Sequence, residues 1–255
     1  MTPFERRKAI ADYVLAHGEV RIDTLTEEFG VSRMTIHRVI DELSRQGVIR
    51  KLHGSVSAQP SAVYEALFAF REAQGTEAKA ALTRAALAHI EAGQSLMIDD
   101  STTCQPLGAM LAERAPIHVV SNSLGLANML AGVEGVSFLS TGGDYHPTYN
   151  AFIGHVCERA LDALRVYSFV CSASAVQDGV ALIHDAGLTR IKQAMFRAAE
   201  KRILLVHSDK FNKRALHAFA ELSAFDHVIT DDALDPATAE FLIASGVTLE
   251  RVTLT

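Results

Sequence analysis

Apolar residues in Arg6–Ala16 recur at Ile10, Tyr13 and Val14, with His17 extending the same face. That spacing of i, i+3, i+4 and i+7 predicts a helix, and Gly18 ends it. Leu25 and Phe29, four apart, place a second helix at about Ile22–Phe29, followed by a Gly30-Val31 turn. Ser32 is suited to cap a third helix, Arg33–Gln46, with Ile36, Val39, Ile40 and Leu43 facing inward and Gly47 stopping it. Val48–Leu52 is β-rich, and with His53-Gly54 and Val56 it predicts a two-stranded wing. From Gly75 the pattern changes. An Ala-rich helix, Gly75–Glu91, is followed by short apolar strands at Ser95–Ile98, Ile117–Val120, Val136–Ser140, Tyr167–Ser172, Arg202–Val206, Val228–Thr230 and Thr248–Thr253. Helices are predicted between them at Pro106–Arg114, Leu124–Leu130 and Ile191–Lys201. Such alternation predicts an α/β domain with a mainly parallel sheet, whose ligands bind at the carboxyl ends of strands.

Charge sharpens the division. The 255 residues carry a formal net charge of −6, which for the whole chain argues against a nucleic-acid partner. Residues 1–57 hold nine Lys/Arg and eight Asp/Glu, whereas residues 58–255 hold fifteen and twenty-two. Within 33–51 the balance is +3. A near-neutral module with one basic segment therefore precedes an acidic domain. The Gly-, Ser- and Pro-rich stretch His53–Ser61 marks the boundary. The expected organisation is a first domain at 3–58, a linker at 59–75 and a second domain at 76–255. Residues 1–10 lack the apolar segment of a secretory signal, and no uncharged run is fit to span a membrane. Three cysteines without a CxxC pair fit a reducing cytoplasm. Eleven histidines without HExxH or zinc-type spacing predict neither a metal nor a cofactor.

Helix, Gly-Val turn, Ser, helix is the helix-turn-helix pattern, which sends the start of the second helix into the major groove of double-stranded DNA. Arg33, His37 and Arg38 are placed there to reach base edges or phosphates, and Ser32 and Thr35 to hydrogen-bond phosphate. Arg50, Lys51 and His53 on the wing are candidate backbone contacts. At the strand ends of the second domain, Ser101, Thr102 and Thr103 offer hydroxyls and N–H groups to an anion, and Lys210 adds a positive charge. Asp99 and Asn122 suit sugar hydroxyls. Gly142-Gly143 forms a turn that admits a ligand close to the backbone.

Residues 5–57 resemble the DeoR-type winged helix-turn-helix of bacterial sugar-metabolism repressors. The likeness rests on Arg6/Arg7, Val31-Ser32, Thr35-Ile36, Arg38, Asp41-Glu42-Leu43 and Arg50-Lys51-Leu52-His53-Gly54. It continues to about residue 232 through Asp99-Asp100-Ser101-Thr102-Thr103, Ser121-Asn122-Ser123, Gly142-Gly143, Gly154 and His207-Ser208-Asp209-Lys210. The sequence departs where His37-Arg38-Val39-Ile40 replaces the usual Arg-Arg-Asp-Leu, and where His207 and Asp209 replace Asp and Ser of an Asp-x-Ser-Lys motif. The resemblance implies a ribose-phosphate-isomerase-type α/β sensor of a phosphorylated sugar or related metabolite. It implies a cytoplasmic homo-oligomer, dimer or tetramer, that represses a carbohydrate-utilisation operon and is not an enzyme. The alternative is a sugar-phosphate isomerase with an accessory N-terminal module, using His207 or Asp209 as base.

Overall fold

The computed structural model describes residues 3–45, 48–58 and 68–254, and the chain forms two compact units, Met1–Gln74 and Gly75–Thr255. Gln46, Gly47 and residues 59–67 of the expected linker lie outside the described residues.

In the first unit the helix periodicity is realised. α1 is Pro3–His17 and buries Ile10 and Val14, while His17 is exposed and stacks on Tyr13 at 4.1 Å. An unexpected strand, β1 (Glu19–Arg21), follows Gly18, and α2 spans Ile22–Phe29. Gly30 adopts φ 58°, a left-handed conformation that closes α2 without a Cβ clash. α3 is Arg33–Arg45, β2 Ile49–Lys51 and β3 Ser55–Ala58. The expected two-stranded wing is a three-stranded sheet, ordered β1-β3-β2. Val20 lies opposite Val56 in it, and both are buried. Three residues of Glu19–Arg21 carry too little alternation to be read as a strand. Ile36, Val39, Ile40 and Leu43 of α3 join Ile10, Val14, Leu25 and Ile49 in one core. A short helix, α4 (Phe68–Ala73), falls within the span expected as linker.

The second unit begins with α5 (Thr76–Leu87) and β4 (Ser95–Ile98). The helix expected at Pro106–Arg114 is a four-residue α6 (Gln105–Gly108) and a 3-10 turn at Leu111–Arg114. β5 (Ile117–Ser121), α7 (Leu124–Leu130) and β6 (Val136–Ser140) follow. Next come β7 (Asp144–His146), β8 (Ala151–Ile153), α8 (His155–Asp162) and β9 (Val166–Cys171). β10 (Ala175–Gln177), β11 (Val180–Ile183), α9 (Ala186–Ala198) and β12 (Ala199–Leu205) continue the chain. β13 (His217–Glu221), β14 (His227–Asp231), α10 (Pro236–Ala244) and β15 (Leu249–Val252) complete it.

Seven of these strands form one parallel sheet, ordered β15-β14-β12-β9-β4-β5-β6. α5, α6 and α7 cover one face through Leu82, Ala86, Leu107 and Leu126, packed on Leu96, Ile98, Ile203 and Ile229. Two small antiparallel sheets, β10-β11-β13 and β7-β8, branch from the strand ends. Phe196 of α9 meets Phe219 and Phe225 edge-on at 5.8 and 5.1 Å, which ties the β13 region to that helix.

Candidate functional site

The first unit presents a nucleic-acid interface on α3 and the wing. Ser32 caps α3. Its Oγ accepts from Thr35 N at 3.2 Å and lies 3.0 Å from Thr35 Oγ1, so both hydroxyls are engaged with each other. With Ile36, Val39 and Ile40 turned inward, Arg33, Met34, His37 and Arg38 are left exposed. Arg33, His37, Lys51 and His53 line one cleft of about 320 Å³ between α3 and the wing. Arg38 and Arg50 are exposed but do not line it. The basic stretch is partly neutralised within the unit. Lys51 is paired with Asp41, Arg7 with Glu42, and Arg33 lies 3.6 Å from Asp23. Lys51 holds the Asp41 carboxyl below the usual carboxylate range.

The second unit gathers polar side chains at the carboxyl ends of β12, β9, β4 and β5. Asp99 is fully buried. Its Oδ1 accepts from Ser101 N at 3.0 Å and Ser101 Oγ at 2.5 Å. Its Oδ2 accepts from Ser172 N at 2.9 Å and from Lys192 Nζ. A carboxylate has about four lone-pair positions, and these four donors occupy them. Asp99, expected to take sugar hydroxyls, is thus committed to organising the loop. Burial alone would raise its pKa, but Lys192, Ser101 and Ser172 together hold it below the ordinary value. Lys192 is 3% exposed, donates to Ser172 O at 3.2 Å and lies 3.8 Å from Asp100. Its two aspartates keep its ammonium charged despite the burial.

Lys210 donates to Thr103 Oγ1 at 3.2 Å, Ser172 Oγ at 3.1 Å and Ala173 O at 2.9 Å. These acceptors are neutral, and an anion could exchange with any of them. Ser101 Oγ is shared between Asp99 and Cys104 N, and Thr102 is buried beside it. α6 is only four residues long, so the helix dipole expected to draw an anion to Ser101–Thr103 is small.

Asn122 is clamped by β8. Its backbone O accepts from Phe152 N at 2.8 Å, and its Nδ2 donates to Phe152 O at 3.1 Å. That carbonyl fixes which end of the amide is nitrogen. Asn122 Oδ1 is then a buried acceptor with no hydrogen-bond partner among the described residues. Gly143 has φ 121°, and a Cβ there would sit 2.5 Å from Ile153 O. The close approach expected of a ligand is made by the chain's own backbone.

Residues 6–61 match the DeoR-like helix-turn-helix domain and residues 74–232 the DeoR C terminal sensor domain. The chain belongs to the DeoR family. It is 28% identical over 251 residues to the glycerol-3-phosphate regulon repressor of Escherichia coli (strain K12), covering 98% of this chain and 99% of that one. It is 26% identical over 235 residues to the lactose phosphotransferase system repressor of Staphylococcus epidermidis, covering 91% and 93%. Among solved structures, ribose 5-phosphate isomerase A of Methanocaldococcus jannaschii is similar with a TM-score of 0.38 and 14% identity, over 53% of this chain and 54% of that one.

In this DeoR-family sensor domain, Lys192 joins the candidate site through Asp99 and Ser172, a place not expected of it from sequence. A signal was present. Leu188, Ile191, Lys192 and Met195 have helical core spacing, and all four are buried. His207 Nδ1 is in hydrogen-bond contact with an Asp209 carboxylate oxygen beside Lys210. Burial pushes the His207 imidazole below its ordinary value, against the pull of Asp209.

Proposed function

We propose that this DeoR-family regulator represses a carbohydrate-utilisation operon and is modulated by a phosphorylated sugar bound at the carboxyl ends of β12, β9, β4 and β5. Asn122 carries this reading. A buried amide oxygen without a donor costs about 1–3 kcal/mol, and a ligand hydroxyl would satisfy it. Lys210, which donates to Thr103, Ser172 and Ala173, supplies the charge for a phosphate. Thr102 and Thr103 complete the polar wall, and Asp99, Ser101 and Lys192 keep it in place. The repressor names of the relatives support the direction of regulation.

In the reader domain, Arg33, His37 and Arg38 would contact base edges or phosphates from the start of α3. Arg50, Lys51 and His53 would hold the backbone beside it. Ser32 and Thr35 would set the helix start and present their remaining hydroxyl capacity to phosphate. The protein would act in the cytoplasm as a homo-oligomer, a dimer or tetramer, so that two readers meet successive turns of an operator. The isomerase alternative needs a carboxylate free to act as base. Its two candidate bases, His207 and Asp209, engage each other, and Asp209 also lies 3.5 Å from Lys213, which counts against it.

The test is a gel shift on the intergenic DNA upstream of the gene, titrated with a panel of sugar phosphates. Wild type should retard the DNA and respond to one of them. Arg38→Ala should lose retardation. Asn122→Ala and Lys210→Ala should retard normally and lose the response. If both still respond at unchanged sugar-phosphate concentration, the ligand binds elsewhere.

A further inference from the structure

The opposite end of the parallel sheet carries a second polar cluster. His227 opens β14 and Glu250 lies in β15. Pairing sets Ile229 against Glu250, and alternation along the strands puts His227 on the same face as both. That face is the one α5 covers, and His89 lies just beyond the end of α5. His89 Nε2 is 2.9 Å from Glu250 Oε2, and the two imidazoles are 4.1 Å apart between centroids. One donor atom from each residue lies within 4.8 Å of the other two, and all three residues are half-buried.

We propose that His89, His227 and Glu250 bind a first-row divalent transition-metal ion, with Zn²⁺ the probe and water completing the coordination. Tetrahedral zinc with bonds of about 2.0–2.1 Å holds its ligand atoms roughly 3.3 Å apart. The His89–Glu250 pair is already near that separation, so an ion replaces the shared proton with a few tenths of an ångström of opening. Neutral His89 then carries its proton on Nδ1 and offers the Nε2 lone pair. Two imidazoles and one carboxylate favour zinc-like ions over calcium or magnesium.

Two charges nearby oppose each other. Lys201 Nζ reaches His89 O at 3.4 Å and repels a cation, while Asp226 attracts one. The Lys201 contact is at the long limit of a hydrogen bond, and its stem can carry the ammonium aside. The ion would fasten the end of α5 to β14 and β15. The site is remote from the strand ends that hold Asp99 and Lys210, and its occupancy does not depend on the regulatory reading. The ligands lie 138 and 23 residues apart along the chain, which is why no spacing motif announces them.

Zinc is titrated calorimetrically into the chelator-treated full chain, with melting followed in parallel. One equivalent should bind and raise Tm. His89→Ala and His227→Ala should each weaken binding by about 100-fold or more, and exposed His118→Ala should leave it unchanged. Glu250→Gln replaces a partly exposed side chain by its isostere. It should weaken binding at least about 10-fold with an unchanged circular dichroism spectrum, which keeps the test open if a histidine variant misfolds. Absence of stoichiometric binding to wild type overturns the proposal. So does wild-type affinity in Glu250→Gln or His89→Ala.

Discussion

Lys192 occupies a helix position that packing would give to leucine, and its ammonium is the counter-charge of a fully buried carboxylate. Removing one member of such a pair is more damaging than never having built it, because the partner's charge stays in low dielectric. Lys192→Met should therefore destabilise the sensor domain by about 3–5 kcal/mol in urea unfolding. Adding Asp99→Asn to the same chain should recover part of that loss. If the single variant unfolds like wild type, Asp99 is not relying on Lys192. His207 makes a pH prediction. Its ring packs on Gly75 and faces Asp209, Lys210 and Lys79, and burial lowers its folded pKa below 6.5. The unfolded chain then takes the proton first. The contribution is present above pH 6.5 and is lost as pH falls through and below it. Tm should drop between pH 7.5 and about 5.5, and His207→Gln should flatten that slope.

At the scale of elements, residue types that set local geometry also decide what ligands can reach. Gly143 joins β6 to β7 with its backbone against Ile153. Gly143→Ala should cost about 1–3 kcal/mol through its positive φ, with more from the 2.5 Å approach, and should displace the β7-β8 hairpin that clamps Asn122. Thermal melting and loss of the sugar-phosphate response would report it together. Hydrophobic periodicity located α2, α7, β4 and β6 at their observed ends, because each has a full turn or a full apolar run bounded by polar or glycine residues. It missed β7, β8, α8, β10, β11, β13 and α10. Most of these are strands of three to five residues, too short to show a period, and their pairing depends on partners distant in sequence. α9 was expected at Ile191–Lys201 and lies at Ala186–Ala198, since Ala199 passes directly into β12 with no turn residue to mark the change. The candidate site was legible as motifs at strand ends. Which members face a ligand and which hold the wall was not, because Asp99 reads the same in either role until Lys192 and Ser172 are placed around it.

For the whole molecule, the net charge of −6 averages an acidic sensor domain with a reader whose basic segment is itself partly neutralised. Affinity for DNA then depends on what the lysines and arginines abandon when they meet phosphate. Lys51 must leave Asp41, a solvent-exposed pair that offers it little and is screened by salt. Asp41→Asn removes that competitor and a repulsive charge beside the groove. Affinity for non-specific duplex should rise, and the plot of log K against log salt should steepen by about 1 as Lys51 takes a phosphate full time. Lys51→Ala should make the slope shallower by about the same amount, and the double variant should match Lys51→Ala if the aspartate acts through the lysine. An Asp41→Asn protein with the wild-type salt slope would remove Lys51 from the backbone contacts and leave Arg38 and Arg50 to carry them. In the proposed homo-oligomer, which would engage two readers at once, each such change should count twice per operator.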